Sequence, residues 1–211
     1  MKNLYSKKFL DLAMEKVLNL YPSNVIRWKF RPPFLEDIRK VFVQTEEEDK
    51  ILTDYYYKFV KDKKTIMEKA KALAIAVNSR IKYQPDIEVY KNIEYWVSPM
   101  QVHNKRIDDC DGYAVLLCYL IRLFGAAPWE VFVRAGDAVH PDGRIEGHAN
   151  VLVLDINKMT FYYLEGSFYP DRSLRQFGLL SAIDNLSYKN TWFITNDLIS
   201  YSHTPWIKFV H

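Results

Sequence analysis

Hydrophobic positions in the first eighty residues repeat at helical spacing. Apolar side chains recur three and four positions apart over 64–80, and Thr65 followed by Glu68 predicts a capping box at the start of that helix. Thr45, followed by three glutamates, predicts a further helix over 46–60. The chain is therefore expected to begin with helices that bury one face each.

Earlier segments follow the same pattern. Residues 3–20 suit an amphipathic helix, and residues 34–43 suit a short one between breakers. We divide the chain into a helical N-terminal extension, 1–62, and a core, 63–211. The extension is expected either to cap the functional site or to contact a partner through residues 1–60.

A different pattern begins at Cys110. Nearly every residue from Tyr113 to Phe124 is apolar, which is typical of a helix buried on all sides, and Gly125 is placed to end it. Short β-rich runs separated by turn residues come next. Helices followed by strands indicate an α+β fold with an antiparallel sheet. Strands are predicted over 130–135, 147–155, 160–165 and 191–195.

Composition and charge exclude several classes of function. A net charge of +3, from 29 basic and 26 acidic side chains, is too small to indicate nucleic-acid binding. No stretch approaches the ~18 apolar residues that span a membrane. The first residues also lack the apolar core of a secretory signal. We therefore expect a cytoplasmic protein that binds neither nucleic acid nor membrane.

The two cysteines share the predicted buried helix. Cys110 and Cys118 would lie about 12 Å apart on it, too far for a disulfide. Cys118, among leucines, is expected to be a core residue. Cys110 stands at the helix start, where the helix dipole favours a thiolate and unpaired N–H groups could hold an oxyanion. Asp108 and Asp109 are good N-cap residues whose charge opposes that thiolate.

A histidine and a carboxylate are candidates to act with Cys110. His148 opens a strong strand directly after Gly147, which would admit a substrate or another backbone. A hairpin turn centred near 156–157 would set Glu165 directly opposite His148, with Cβ atoms about 5 Å apart. Glu165 could then orient the imidazole as the third member of a triad. Asp155 would face the other way, about 23 Å along the strand, and is excluded. The other histidines are expected in polar loops or near the chain end: His103, His140, His203 and His211.

Several segments resemble the transglutaminase-like family. Asp-Asp-Cys-Asp-Gly-Tyr-Ala at 108–114 resembles its Gly-Asp-Cys-(Asp/Glu)-Asp-(Tyr/Phe)-Ala signature. Residues 147–151 resemble its His-Ala-Trp-Val strand, and residues 163–167 resemble the strand that carries its acidic residue. Residues 81–86 and 95–99 resemble the segments that precede the cysteine in the bacterial transglutaminase-like cysteine proteinase branch.

Four positions depart from the family pattern. Asp108 stands where the signature has glycine, and Gly112 stands where it has an acidic residue. Asn150 replaces the aromatic residue two positions after the histidine, and Glu165 replaces the commoner aspartate. Glutamate is one methylene longer but chemically competent.

The resemblance implies a papain-like core and a triad that acts on amide bonds by acyl transfer, with no cofactor or metal needed, although some branches bind calcium. Cys110 would be the nucleophile, His148 its base and Glu165 the third member. Trp96 and Gln101, expected in a loop before the cysteine, are candidate oxyanion or substrate-binding groups. The expected substrate is a protein or peptide: hydrolysis would make the enzyme a protease or deamidase, and an amine acceptor would make it a transglutaminase.

Two other interpretations stay open. The chain could keep the fold as a catalytically inactive binding or scaffold module, which the altered positions would permit. The presence of all three triad residue types argues against that, because a scaffold has no physical need for them. A metal site formed by Cys110, His148 and acidic neighbours is less favoured, because these ligands do not cluster in the sequence.

Overall fold

The computed structural model describes residues 11, 14–15, 20–22, 37–155, 160–166, 179–181 and 188–202. Its helices are a 3₁₀ helix Ile38–Phe42, α1 Glu46–Val60, α2 Ile66–Arg80, α3 Asp86–Val89, α4 Pro99–Lys105 and α5 Cys110–Leu123. Its strands are β1 Tyr21–Pro22, β2 Lys82–Tyr83, β3 Ile107–Asp108, β4 Val131–Val139, β5 Ile145–Asp155, β6 Thr160–Leu164, β7 Leu179–Ser181, β8 Tyr188–Thr195 and β9 Ser200–Ser202.

The predicted helix starts are confirmed where they can be compared. Thr45 and Thr65 each form a capping box, with the hydroxyl accepting the backbone N–H of Glu48 or Glu68 at 3.2 Å. Each box satisfies two donors that the helix leaves unpaired. The helix predicted over 3–20 lies almost wholly outside the described residues.

The loop predicted over 95–99 is present only as far as Ser98, and Pro99 begins the helix α4. Ser98 caps it, Pro99 occupies its first turn, and the Gln101 side chain returns to the Ser98 N–H at 3.0 Å. The sequence Ser-Pro-Met-Gln therefore encodes a third capping box, with proline at a position where its missing N–H costs nothing.

Seven strands form one antiparallel sheet in the order β1-β9-β8-β4-β5-β6-β7. The short strands β2 and β3 form a separate parallel pair just before α5. The strands predicted along the second half of the chain are all present, and β4 and β8 extend beyond their predicted bounds. The α+β class predicted from the order of elements is confirmed.

Each face of the sheet packs against a different layer. Val133, Ala149 and Val151 belong to a large core that contains most of α5 and the inner faces of α1 and α2. Phe132 and Leu152, which alternate with these residues along the strands, belong to a second cluster on the opposite face. The period of two along β4 and β5 thus sorts apolar residues between two cores.

The helix α1 joins the main core although it lies inside the predicted N-terminal extension. Leu52, Tyr56 and Val60 are buried in the cluster that holds α5. Met14 and Leu20, from the same end of the chain, are buried in the cluster on the other face. Of the helices the structure describes, none has both the length and the hydropathy to cross a membrane.

Candidate active site

Cys110 is the first residue of α5 and lies beside the edge of β5. The N-cap is Asp109, whose side chain accepts the Asp111 N–H at 3.2 Å. The Ala149 N–H donates to the Cys110 sulfur at 3.4 Å. The strand β6 pairs with β5 only from Val151 onward, so the edge beside Ala149 is open to the cysteine. Strand N–H groups point along the plane of the sheet, so the Cys110 sulfur that accepts this hydrogen bond lies near that plane. Side chains from either face of the sheet can therefore approach the sulfur.

His148 is held by Glu165. The imidazole Nε2 lies 2.9 Å from each carboxylate oxygen, and the two residues are 5% and 2% exposed. An ionised carboxylate only accepts hydrogen bonds, so this contact assigns the proton of a neutral imidazole to Nε2 and leaves Nδ1 as the basic nitrogen. The Tyr188 ring is stacked on the imidazole at 6.0 Å with 14° between planes, which fixes the ring orientation.

The contact forms in a register that differs from the predicted one. Val151 pairs with Leu164, and continuing that register sets Glu165 opposite Asn150 rather than His148. The predicted direct opposition of His148 and Glu165 was therefore wrong by two residues, because the two strands pair about a point one residue later than the assumed centre near 156–157. A shift of two preserves the sheet face, so the long glutamate side chain still reaches the imidazole diagonally.

Cys110 and His148 line the same cavity, whose volume is about 270 Å³. Two tryptophans, Trp96 and Trp192, supply much of its apolar wall. The Trp192 ring can pack against the backbone at Gly147 because that residue has no side chain; a Cβ there would lie 2.9 Å from the ring. The full lining is Ile93, Glu94, Trp96, Cys110, Asp111, Ala135, Gly147, His148, Ala149 and Trp192.

The two predicted substrate-binding residues differ in position. Trp96 lines the cavity, but its indole N–H donates a hydrogen bond to Glu94 at 2.6 Å. Trp96 therefore contributes its ring to the cavity wall, while its N–H is already engaged by Glu94. Gln101 is exposed on α4, where its side chain caps the helix, and it is not among the described residues that line the cavity. Its sequence signal was that of a capping residue.

A cluster of carboxylates surrounds the start of α5. One oxygen from each of Asp86, Asp108, Asp109 and Asp111 lies within 4.8 Å of the others, so they could hold a cation. Asp111 is 2% exposed, and neither of its oxygens has a hydrogen-bond partner. Asp86, 1% exposed, has one such oxygen. Hard divalent cations prefer oxygen ligands of this kind.

These carboxylates set the electrostatics of the thiol. Burial, followed by the charges of Asp109 and Asp111, raises the pKa of Cys110 well above its ordinary value, and the Ala149 N–H partly offsets this. Burial and the charge of Asp109 also raise the pKa of Asp86 to about 8. The protonated thiol is therefore the resting form while this negative charge is uncompensated.

Cys118, the second thiol of α5, lies in the core and not beside the cavity. It is fully buried, in the main core, and neither cysteine forms a disulfide. Burial is the largest of the causes that raise the pKa of Cys118 above its ordinary value. Cys118 thus has the surroundings expected of a core residue.

The sequence matches no protein-family model, and no curated protein matches it. Solved structures are nevertheless similar in fold. LapG of Legionella pneumophila, EGTA-treated, gives a TM-score of 0.57 at 12% identity, over 77% of this chain and 87% of that one. Calcium-bound LapG from the same organism gives 0.53 at 14% identity, over 76% and 88%. These likenesses show that the chain shares the fold of LapG and confirm the predicted α+β class, and at such identity they bear on the fold alone.

Proposed function

We propose that this protein is a cysteine-dependent acyl-transfer enzyme that acts on amide bonds of a protein or peptide. Cys110 is the nucleophile, His148 its base and Glu165 the residue that orients the base. The observation that carries the proposal is the two-oxygen contact of Glu165 with His148 Nε2, made by a histidine that lines the same cavity as Cys110. A nucleophile, a base and a group that orients the base are the parts this chemistry needs.

The reaction follows from these positions. His148 Nδ1 takes the thiol proton as the sulfur attacks the substrate carbonyl, and Glu165 stabilises the imidazolium that forms. The backbone N–H of Cys110, in the first turn of α5, is the proposed donor to the developing oxyanion. The imidazolium then gives its proton to the departing amine, and an acyl-enzyme remains. Water resolves it in a protease or deamidase, and an amine resolves it in a transglutaminase.

A second proposal concerns the carboxylates. We propose that Asp86, Asp109 and Asp111 bind a divalent cation, with calcium the best match in chemistry; one of the solved LapG structures is itself calcium-bound. The buried, unpartnered oxygens of Asp111 and Asp86 support this. A bound cation would supply positive charge that offsets these carboxylates and so lowers the pKa of the neighbouring thiol. Asp108 is a poorer candidate than Asp109, because its oxygens accept hydrogen bonds at 2.8 and 3.0 Å, shorter than the 3.2 and 3.4 Å bonds that Asp109 accepts.

The test of the first proposal is a peptide screen read by mass spectrometry. The wild-type chain and Cys110→Ala are incubated with a mixed peptide library, with and without a primary amine, and cleavage, deamidation and amine incorporation are distinguished by their mass changes. We expect one of these products with wild type and none with Cys110→Ala. Cys118→Ala is the matched control and should keep the activity.

A labelling experiment distinguishes the enzyme from a catalytically inactive scaffold. Iodoacetamide labelling of Cys110 near neutral pH, with calcium present, should be faster than labelling of a small free thiol and should slow in His148→Ala. A rate no faster than the free thiol in both proteins, together with no product in the screen, would favour an inactive binding module.

The cation proposal has its own measurement, which does not depend on activity. Saturating calcium should raise the Tm by roughly 5–10 °C, because a ligand at about 100 times its Kd stabilises a domain of this size by ~2.7 kcal/mol. Asp111→Asn should abolish most of the shift, and Asp54→Asn, an exposed change on α1, should retain it. An equal shift in both variants would place the cation elsewhere.

A further inference from the structure

Two of the departures from the family signature compensate each other: one adds an acidic residue and the other removes one. The signature has glycine two positions before the cysteine and an acidic residue two positions after it. This chain has Asp108 two positions before Cys110 and Gly112 two positions after it. Taken one at a time, each change weakens the resemblance. Taken together, they exchange the same two residue types across the cysteine.

The geometry explains why the two changes go together. A Cβ built on Gly112 would lie 2.3 Å from the Asp108 carboxyl carbon and 2.4 Å from its Oδ1. Real Cβ atoms do not approach other atoms so closely, so a side chain at 112 would occupy the volume that the Asp108 carboxyl group fills. Only one of these two positions can carry a side chain in this packed interior.

Both oxygens of the buried Asp108 carboxylate accept hydrogen bonds. Asp108 is 0% exposed; its Oδ2 accepts the Tyr90 hydroxyl at 2.8 Å and its Oδ1 accepts the Asp109 N–H at 3.0 Å. Asp109 is the N-cap of α5, so the carboxylate fixes the residue directly before the nucleophile. It also ties that residue to Tyr90, which follows α3.

We propose that Asp108 is a positioning residue for Cys110, and that its buried carboxylate can be accommodated only because position 112 is glycine. The proposal rests on the proposed function in one respect, namely that the residue held in place is a nucleophile. It predicts that the two positions are coupled: the carboxylate can be moved to 112 only if it is removed from 108.

Five proteins test this coupling: wild type, Asp108→Gly, Gly112→Asp, the double exchange Asp108→Gly/Gly112→Asp, and the double control Asp108→Gly/Gly112→Ala. The control relieves the overlap without restoring a carboxylate. Two quantities are measured on each protein, in the same calcium-containing buffer and at one pH: the Tm, and the rate constant for iodoacetamide alkylation of Cys110, located by peptide mass spectrometry. Cys118, which is fully buried, does not compete for the reagent.

We expect each single change to lower the Tm by at least about 5 °C, because one leaves buried donors unpaired and the other overlaps atoms. Each should also slow alkylation of Cys110 about tenfold or more. The double exchange should return to within about 3 °C of wild type and recover most of the alkylation rate. The double control should recover less of both, since the Asp109 N–H and the Tyr90 hydroxyl then lack their acceptor.

Two results would overturn the proposal. If the Tm loss of the double exchange equals the sum of the two single losses, the positions are independent. If the control recovers as much alkylation rate as the double exchange, the carboxylate has no positioning role and only the overlap matters. Should Gly112→Asp fail to fold, folding of the double exchange supports the coupling and its failure contradicts it. If wild-type Cys110 reacts only as a free thiol, the proposed function fails, while the Tm comparison still decides the exchange.

Discussion

His103 and His148 are buried to nearly the same extent, with 4% and 5% of their surfaces exposed, yet their neighbours have opposite charge. His103 lies on α4, with the Arg80 guanidinium 3.3 Å from its Nε2 and the Tyr55 ring edge-on at 4.9 Å. Burial, followed by the charges of Arg80 and Arg106, lowers the pKa of His103 to about 4. His148 has a carboxylate at one nitrogen and the cavity beside it.

The difference shows that burial alone does not decide what a histidine can do. An imidazole beside a guanidinium is held neutral and serves packing, whereas a carboxylate beside an imidazole can orient the ring for proton transfer. The expectation that His103 lies in a polar loop was wrong, because the segment is a helix whose inner face is buried against α1 and α2. Three predictions test whether the two histidines differ as their neighbours imply.

Replacing the base should have the largest effect. His148→Ala is expected to lower kcat/KM, on a peptide identified by the library screen, by about 10²–10⁴, the usual contribution of a general base. His103→Gln should stay within about threefold of wild type. Comparable losses in the two variants would mean that the loss reflects general destabilisation and not the proton transfer assigned to His148.

Replacing the orienting carboxylate should have a smaller effect. Glu165→Gln keeps the size of the side chain but removes the charge that stabilises the imidazolium, so we expect kcat to fall roughly 10–100-fold. Glu146→Gln, a change on the same strand as His148 but at an exposed carboxylate, is the control and should leave kcat unchanged. Full activity in Glu165→Gln would remove Glu165 from the mechanism.

Much of this arrangement follows from local pattern, and the parts that do not have physical causes. The capping residues before α5 place Cys110 at a helix start, and the β-rich pattern after Gly147 places His148 on a strand. Both were predictable because these signals act within a few residues. The register of the β5–β6 hairpin depends on the residue about which its strands pair, which the strand bounds do not fix, so the face of Glu165 was predictable but not its partner. Asp86 reaches the carboxylate cluster from more than twenty residues away, and no spacing rule announces such a contact.

The smallest predicted effect concerns stability against pH. Unfolded chains bind a proton on His103 below about pH 6.5, whereas the folded protein does not until about pH 4, so between these values the unfolded state carries more protons. The free energy of unfolding should therefore fall as the pH drops through this window, with a contribution from His103 on the order of 3 kcal/mol. Denaturant unfolding of wild type and His103→Gln at several pH values measures it.

The comparison between the two proteins isolates the histidine from the carboxylates that titrate nearby. In His103→Gln the decline between pH 6.5 and 4 should be shallower by the amount assigned to His103. Parallel curves for the two proteins would show that His103 takes up its proton in the folded state as readily as in the unfolded one, and the contrast with His148 would then lose its basis.

The pairing of β1 with β9 has a consequence for how the molecule is made. Tyr21 pairs with Ser202, so strands about 180 residues apart in sequence lie side by side at one end of the sheet. Ribosomes add roughly 5–20 residues per second, so β1 waits on the order of ten seconds or more before its partner is synthesised. Contacts of such long range also close slowly. The edge of the sheet is thus completed only after most of the chain has been translated, and until β8 is synthesised the strand β4 presents an unpaired edge to other nascent chains.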